Sequence, residues 1–180
     1  MTGVIGCVLR AITPADHAAV LDLNERYVDL LAPLDQARLE ELLGWAESAS
    51  VIDVDGIFAG FVLTFASGSA YDGENFAWFS ERLDDFGYLD RVVIHQDFRR
   101  RGIASWVYDQ LESACGETGR GHFALEVNLD PPNEPSLAFH RARGYTEIGQ
   151  RVLGPGTARA HTVTMLTRQL VTTKATRSVG

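Results

Sequence analysis

Apolar residues recur along the chain with two spacings, one typical of strands and one typical of helices. The apolar stretch Val4–Ile12 predicts a first strand. Thr13-Pro14 then predicts a helix start, because threonine caps helices and proline fits the first helical position. Apolar residues follow at helical spacing over Val20–Leu31. We expect Pro33 to end this helix, because proline cannot continue it.

A second helix and a hairpin are predicted next. Asp35 is placed to cap the helix, whose apolar residues continue on one side as far as Ala46. The apolar runs Ser50–Val54 and Ile57–Phe65 are separated only by Asp55-Gly56. Two strands joined by this dipeptide are typical of a tight β-hairpin.

The second half of the chain alternates between strand and helix patterns. The predicted elements are a strand over Tyr88–Ile94, a helix over Ile103–Ala114, a strand over Phe123–Val127, a helix over Glu134–Ala142, and strands over Tyr145–Arg151 and Thr162–Leu166. Residues 66–87 interrupt the periodic pattern. Two strand–helix–strand units imply right-handed crossovers. We therefore predict an α/β (α+β) fold with a mixed, partly parallel central sheet and helices on both faces.

Length and charge narrow the class of protein. The chain has 180 residues and a net charge of −8, which fits one domain over 1–170, followed by a flexible tail over 171–180. The acidic balance disfavours nucleic-acid and membrane partners. We read neither a signal peptide nor a membrane-spanning segment. Two cysteines match no zinc spacing, and we expect a cytoplasmic protein without a metal.

The segment over 92–104 carries the clearest chemical signal. It passes from an apolar strand through the basic run Arg99-Arg100-Arg101 and Gly102 directly into a helix. Backbone N–H groups at a helix start lack intrahelical partners and, with the helix dipole, bind anions such as a pyrophosphate. Gly102 leaves room for a close phosphate, and Ala104 keeps the next turn narrow. A structural turn with solvated arginines is the alternative interpretation.

Two landmarks in order give this segment a family resemblance. It resembles the acetyl-CoA loop of the GNAT superfamily of N-acetyltransferases, whose signature Gln/Arg-x-x-Gly-x-Gly/Ala is matched by Arg99, Gly102 and Ala104. The family's second landmark is an asparagine followed by a helix with Phe-Tyr and then Gly-Phe. The residues at that spacing here are Asn133, Ser136, Phe139, His140, Gly144 and Tyr145. The strand order is also similar to the family's over roughly residues 5–168.

The resemblance implies a set of coenzyme contacts. Val92 and Ile94 are expected to offer backbone groups to the pantetheine arm, and an N–H near Val93 or Ile94 to polarise the thioester carbonyl. Asn133 is expected to contact the pantetheine or to fix the splay between strands. The residues expected to cradle the pyrophosphate are Arg99, Arg100, Arg101, Gly102, Ile103 and Ala104. Acetyl-CoA would lie between the strands over Tyr88–Ile94 and Phe123–Val127.

Three side chains are candidates for proton transfer. His140 stands where the family usually carries a tyrosine that protonates the leaving thiolate. It could act as acid or base, or could merely touch coenzyme or solvent. Asp90 shares a strand face with Tyr88, and Glu126 lies in a run that we expect to be largely buried. Either carboxylate could be a general base through water, and ion pairing with Arg91 or a neighbour is the alternative.

The acceptor site is sought between the hairpin and the coenzyme strand. Tyr71, Asn75 and Trp78 lie there among acidic residues, and aromatic rings with carboxylates could enclose a cationic amine. Equally, Phe76 and Phe79 are spaced so that a short helix could simply bury them.

The resemblance implies direct acetyl transfer from acetyl-CoA to an amine in a ternary complex. Small-molecule amines and protein amino groups both stay open as acceptors, and a homodimer is possible. A noncatalytic acyl-CoA-binding regulatory module is the alternative function, favoured by the histidine at position 140. Nucleic-acid binding through Arg99–Arg101 is a third hypothesis, which the net charge disfavours.

Overall fold

The computed structural model describes residues 6–156 and 160–172. The five helices in this part of the chain are α1 (His17–Arg26), α2 (Gln36–Trp45), α3 (Glu74–Ser80), α4 (Ile103–Glu117) and α5 (Glu134–Ala142). The seven strands are β1 (Cys7–Ala11), β2 (Ser48–Val54), β3 (Ile57–Ala66), β4 (Phe86–Ile94), β5 (His122–Asp130), β6 (Thr146–Leu153) and β7 (His161–Gln169). None of these helices is long and apolar enough to span a membrane.

The strands form one mixed sheet in the order β1-β2-β3-β4-β5-β7-β6. Strands β1, β2 and β3 pair antiparallel in sequence, and β7 pairs antiparallel with both β5 and β6. Strands β4 and β5 pair parallel, with register from Phe86↔His122 to Tyr88↔Ala124. The predicted mixed, partly parallel α/β sheet is therefore confirmed.

Helical crossovers produce the parallel strand directions. The helix α4 joins the parallel neighbours β4 and β5, as a strand–helix–strand unit requires. The helix α5 joins β5 to β6, but these strands are not adjacent because β7 lies between them. Because β7 is antiparallel to both β5 and β6, strand β6 runs parallel to β5 on the far side of β7.

The hairpin and the second helix form as the sequence predicts. Asp55 and Gly56 have φ of 53° and 80°, the left-handed backbone that a two-residue turn of this type demands. The Asp35 carboxylate accepts a hydrogen bond from the Arg38 backbone N–H at 2.8 Å, which is the expected cap of α2. The bounds of α5 also coincide with the prediction, and the chain leaves that helix through Gly144 at φ 82°.

The first helix is shorter than predicted. A 3-10 turn over Pro14–Asp16 precedes α1, which ends at Arg26, so the prediction that it continues to Pro33 was wrong. In the segment after α1, side chains form hydrogen bonds with a backbone carbonyl group. The Ala32 carbonyl accepts hydrogen bonds from Asn24 at 3.2 Å and from Arg91 at 2.8 Å. The helical spacing of apolar residues in the sequence does not reveal these tertiary contacts.

The region that interrupted the periodic pattern contains the helix α3. Its buried residues are Phe76 and Phe79, which are 4% and 0% exposed. These rings meet those of Phe86 and Tyr88 with centroids 5.6–6.1 Å apart. The interpretation of a short helix that buries the two phenylalanines is confirmed.

The described residues divide into two compact units. The first unit comprises residues 6–72 and 89–113, and the second comprises 73–88, 114–156 and 160–172. The largest fully buried side chains of the first unit come from α1, α2, α4, β2 and β3, and those of the second from α3, β4 and β5. A single domain over 1–170 stays a prediction. Residues 173–180 of the predicted tail lie outside the described residues.

Asp16 is expected to make stability pH-dependent. Its carboxylate binds the Arg10 guanidinium through two bonds of 2.8 and 2.9 Å, and accepts from the Thr13 N–H and hydroxyl. The Arg10 hydrogen bond, chiefly, holds the Asp16 pKa well below its ordinary value. A carboxyl group whose pKa is lower in the folded chain than in the unfolded chain stabilises the fold. This stabilisation is complete above the unfolded pKa of about 3.9 and is lost as the pH falls below that value.

We expect Asp16→Asn to lower the free energy of unfolding by about 1–2 kcal/mol at pH 7. The gap to wild type should narrow as pH falls from about 5 towards 3, because the wild-type carboxylate then becomes protonated in the unfolded chain. Urea unfolding of both proteins across this range measures the gap. A gap that stays constant down to pH 3 would contradict the assignment.

Candidate functional site

The basic turn between β4 and α4 has a specific backbone shape. A 3-10 turn over Gln96–Phe98 follows β4, and Arg100 and Gly102 then take left-handed φ values of 61° and 77°. The first helical bond of α4 runs from the Trp106 N–H to the Gly102 carbonyl at 3.1 Å. The turn therefore brings three exposed arginines to a helix N-terminus, where backbone N–H groups attract anions.

Arg99 is oriented by contacts on two sides. Its guanidinium lies over the Tyr27 ring, 4.7 Å from the centroid, and its Nε donates to the Ile94 carbonyl at 3.3 Å. Arg101 lies 5.2 Å from the centroid of the Phe98 ring. His95 directly follows β4, and its Nε2 lies 3.4 Å from Arg26 Nη1. The end of α1 thus contacts the segment after β4 through Arg26, which meets His95, and through Tyr27, which meets Arg99.

The end of β4 is packed unusually close to β3. A Cβ atom added to Gly60 would lie 2.1 Å from the Val93 carbonyl oxygen and 3.1 Å from Ile94 Cα. The His95 N–H donates to the Ala59 carbonyl at 2.8 Å. Only glycine permits this approach, so Gly60 sets the position of the Val93-Ile94 backbone. Val92 and Ile94 are half-buried and Val93 is buried.

Asp90 is held by two donors within the first unit. The Tyr71 hydroxyl donates to one carboxylate oxygen at 2.5 Å, and Arg91 Nε donates to the other at 3.0 Å. Arg91 is itself buried, and its Nη1 donates to Asn24 Oδ1 at 2.6 Å. The ion pair between Asp90 and Arg91, which the sequence left as an alternative to a catalytic role, is therefore present.

Tyr71 packs against other aromatic rings, and a charged pair lies beside them. Its ring stacks on Phe65 at 4.0 Å and meets Trp45 at 6.5 Å. Arg38 lies over the Trp45 ring and pairs with Asp72. The hydrogen bond from Arg38 is the main reason that the pKa of the Asp72 carboxyl is lowered.

Glu126 and His140 belong to the second unit. Glu126 on β5 accepts a hydrogen bond from the buried Tyr88 hydroxyl at 2.8 Å. His140 is 4% exposed, and its Nδ1 donates to the Ser136 carbonyl at 2.8 Å, because a carbonyl oxygen can only accept. Its ring packs edge-on against Tyr145 at 5.2 Å. Asn133 caps the same helix, with its side-chain oxygen 3.3 Å from the Ser136 N–H.

The two remaining acceptor candidates lie on α3 and contact β6. Asn75 Oδ1 accepts from Arg151 Nη1 at 2.6 Å. Trp78 lies close to Gly149, and Arg82 covers its ring at 3.9 Å from the centroid. An open pocket of about 380 Å³ borders this helix. The residues that line it are Glu74, Ala77, Trp78, Glu81 and Arg151.

The structure brings some of the predicted site residues into contact, and it shows a further contact that the sequence did not indicate. Tyr71 and Asp90 meet directly in the first unit, whereas Asn75 and Trp78 belong to the second. Tyr27 is a contact that the sequence did not identify as part of the site, since its spacing marked it only as one more residue of a helix face. No local signal relates it to Arg99, because the two are distant in sequence and meet only after folding.

Comparison with known proteins decides the family. The model of the acetyltransferase (GNAT) family matches residues 17–145. The chain belongs to this family. Phosphinothricin N-acetyltransferase of Streptomyces viridochromogenes is a relative of this GNAT chain, 27% identical over 154 residues that cover 78% of the chain and 75% of the relative.

Solved structures share the GNAT fold of this chain. Ard1 from Thermoplasma volcanium superposes with a TM-score of 0.70 at 20% identity, covering 92% of this chain and 99% of that one. Spermidine N-acetyltransferase from Vibrio cholerae, solved in complex with CoA and spermine, gives 0.69 at 16% identity, covering 92% and 96%. These likenesses extend over nearly the whole chain and confirm the fold that the sequence resemblance implied.

Proposed function

We propose that this GNAT-family chain is an N-acetyltransferase that moves acetyl from acetyl-CoA directly to an amine in a ternary complex. The observation that carries the proposal is the turn over 99–102, where two left-handed residues bring three arginines to the start of α4. A pyrophosphate fits such a turn, because backbone N–H groups, helix dipole and guanidinium groups all favour an anion there. Ile103 is buried, so its side chain anchors the helix while its backbone begins it.

The thioester end of the coenzyme is proposed to lie against the backbone of Val92, Val93 and Ile94. The close packing at Gly60 supports this, since it holds that backbone in one position. A backbone N–H there would stabilise the oxyanion that forms when the amine attacks the thioester carbonyl. Collapse of the tetrahedral intermediate forms the amide and releases the CoA thiolate, which takes a proton. Holding both substrates together supplies much of the acceleration.

Proton transfer is proposed for Asp90, Glu126 and His140. Asp90 accepts hydrogen bonds from Tyr71 and Arg91, which orient its carboxylate, and it is proposed to receive the amine's proton through water. Glu126 accepts from Tyr88. Because the His140 Nδ1 carries the proton bonded to Ser136, the neutral ring could receive a proton only at Nε2.

Coenzyme binding is tested first by thermal unfolding with CoA and acetyl-CoA. A ligand that binds only the folded state stabilises it by about 2.7 kcal/mol at a hundredfold excess over Kd. We expect a clear rise in Tm with both ligands, and a smaller rise with pantetheine, which lacks the pyrophosphate. The absence of any shift at millimolar CoA would overturn the proposed function.

The acceptor is proposed to be an amine. Tyr71 in the first unit, and Asn75 and Trp78 in the second, each stay candidates for contacting it. The relative that acts on phosphinothricin supports a small-molecule amine, while protein amino groups stay open. Trp78→Ala is expected to raise the acceptor KM several-fold and leave the acetyl-CoA KM nearly unchanged. Should Trp78→Ala affect acetyl-CoA more than the acceptor, it does not belong to the acceptor site.

A noncatalytic acyl-CoA-binding module is the second candidate. It is favoured by His140, which replaces the usual tyrosine and is 4% exposed with its Nδ1 bonded to its own helix. Both candidates predict the same thermal shift, so only turnover separates them. Release of CoA thiol that depends on an amine supports the enzyme. A cytoplasmic location and a homodimer stay predictions of the sequence.

A further inference from the structure

The basic turn is contacted by a helix that the family motif does not include. Tyr27 directly follows α1, and its half-buried ring lies beneath the Arg99 guanidinium at 4.7 Å from the centroid. A cation over an aromatic face is attracted by the ring quadrupole, and the planar guanidinium also stacks on it. The long Arg99 side chain, which is otherwise exposed, is thereby restricted to a narrow set of rotamers.

The end of α1 is itself fixed to β4. Asn24, which is completely buried, receives a 2.6 Å hydrogen bond from Arg91, and its own amide donates to the Ala32 carbonyl. Arg91 belongs to the strand that leads into the basic turn. The Tyr27 N–H donates to the Asn24 carbonyl at 3.0 Å. A short series of contacts therefore connects β4 to Asn24, then through the backbone to Tyr27, and from the Tyr27 ring to Arg99. All of these residues lie in the first unit.

We infer that Tyr27 is a positioning residue for the coenzyme, and that it acts by aligning Arg99 towards the phosphates. The inference rests on the proposed function. Arg99 Nε is used by the Ile94 carbonyl. Within residues 6–156 and 160–172, the structure gives its two terminal nitrogens no hydrogen-bond partner, which leaves this pair for a phosphate in the bidentate geometry that arginine favours. The ring orders the side chain before the ligand arrives, so less entropy is lost on binding.

The contact depends on the ring and not on the tyrosine hydroxyl. Tyr27→Phe keeps the aromatic face, whereas Tyr27→Leu keeps an apolar side chain without one. We expect Tyr27→Leu to raise the Kd for CoA about two- to fivefold, the range of an exposed cation–π contact. Tyr27→Phe should bind CoA like wild type. Arg99→Ala should raise the Kd about tenfold or more, because it removes charge-assisted hydrogen bonds to phosphate.

A double-mutant cycle on CoA binding, measured by calorimetry, tests the inference. If Tyr27 acts through Arg99, Tyr27→Leu has no further effect on the Kd in the Arg99→Ala background. A general structural role would instead weaken CoA binding equally in both backgrounds, and that result would overturn the inference alone. An equal loss with Tyr27→Phe and Tyr27→Leu would also overturn it. A wild-type protein that binds no CoA would overturn the proposed function and this inference together.

Discussion

Replacing Gly102 by aspartate is expected to weaken CoA binding about tenfold more than replacing it by asparagine does. Gly102 has φ of 77°, a conformation that aspartate and asparagine tolerate best among residues with a side chain. The two side chains have nearly the same volume and differ in charge. The aspartate places a negative charge beside the proposed pyrophosphate, and its repulsion at such distances amounts to about 1 kcal/mol or more even in a partly aqueous environment.

This pair of variants separates binding from folding. A carboxylate at the start of α4 interacts favourably with the helix dipole and with the neighbouring arginines, so the aspartate variant should be at least as stable as the asparagine variant without ligand. Calorimetry with CoA gives the two Kd values, and thermal unfolding without ligand gives the stability. Equal Kd values for the two variants would show that no phosphate lies near Gly102.

Gly60→Ala is expected to lower the free energy of unfolding by more than about 2 kcal/mol, because backbone atoms and not a flexible side chain occupy the space. The added methyl would lie 2.1 Å from the Val93 carbonyl oxygen, and β3 and β4 would have to separate to relieve this overlap. The same movement would displace the Val93-Ile94 backbone, so we expect CoA binding to weaken as well. Urea unfolding and calorimetry measure the two effects.

Gly44→Ala is the matched control for this substitution. Gly44 lies in α2, and an added Cβ would have no atom within 4 Å. Alanine there should raise the free energy of unfolding by about 0.5–1 kcal/mol, because it restricts the unfolded chain and favours the helix. Opposite signs at the two glycines are expected. A Gly60→Ala protein as stable as wild type would contradict the close packing of β3 on β4.

Elements with a local signal could be predicted from the sequence. The hairpin at Asp55-Gly56 and the cap at Asp35 depend on residues that are neighbours in the chain, and both form as expected. The segment after α1 is held instead by hydrogen bonds from Arg91 and Asn24 to the Ala32 carbonyl. Helical spacing in the sequence continues past Arg26, and it does not reveal these tertiary contacts.

The candidate site likewise has one part that the local sequence predicts and another that depends on contacts between distant residues. The basic turn could be predicted because strand, glycine and helix start are consecutive in the chain, and the proposed anion-binding groups belong to the backbone there. The residues around it come from distant parts of the chain, as Tyr27 beneath Arg99 and Gly60 against Val93 illustrate. The acceptor candidates lie in one continuous segment, and a short helix within it buries Phe76 and Phe79 in the core. The part of Tyr71, Asn75 and Trp78 in acceptor binding stays a prediction.

The most direct test of the central claim is the stoichiometry of acetyl transfer. The protein is incubated with isotopically labelled acetyl-CoA and a panel of amines that includes phosphinothricin, amino acids, polyamines and peptides with free amino termini. Mass spectrometry measures labelled amide, and a thiol reagent measures released CoA. We predict equal amounts of both for one class of amine, with neither formed at a comparable rate by the Gly102→Asp protein. CoA binding without labelled amide from any of these amines would contradict the account.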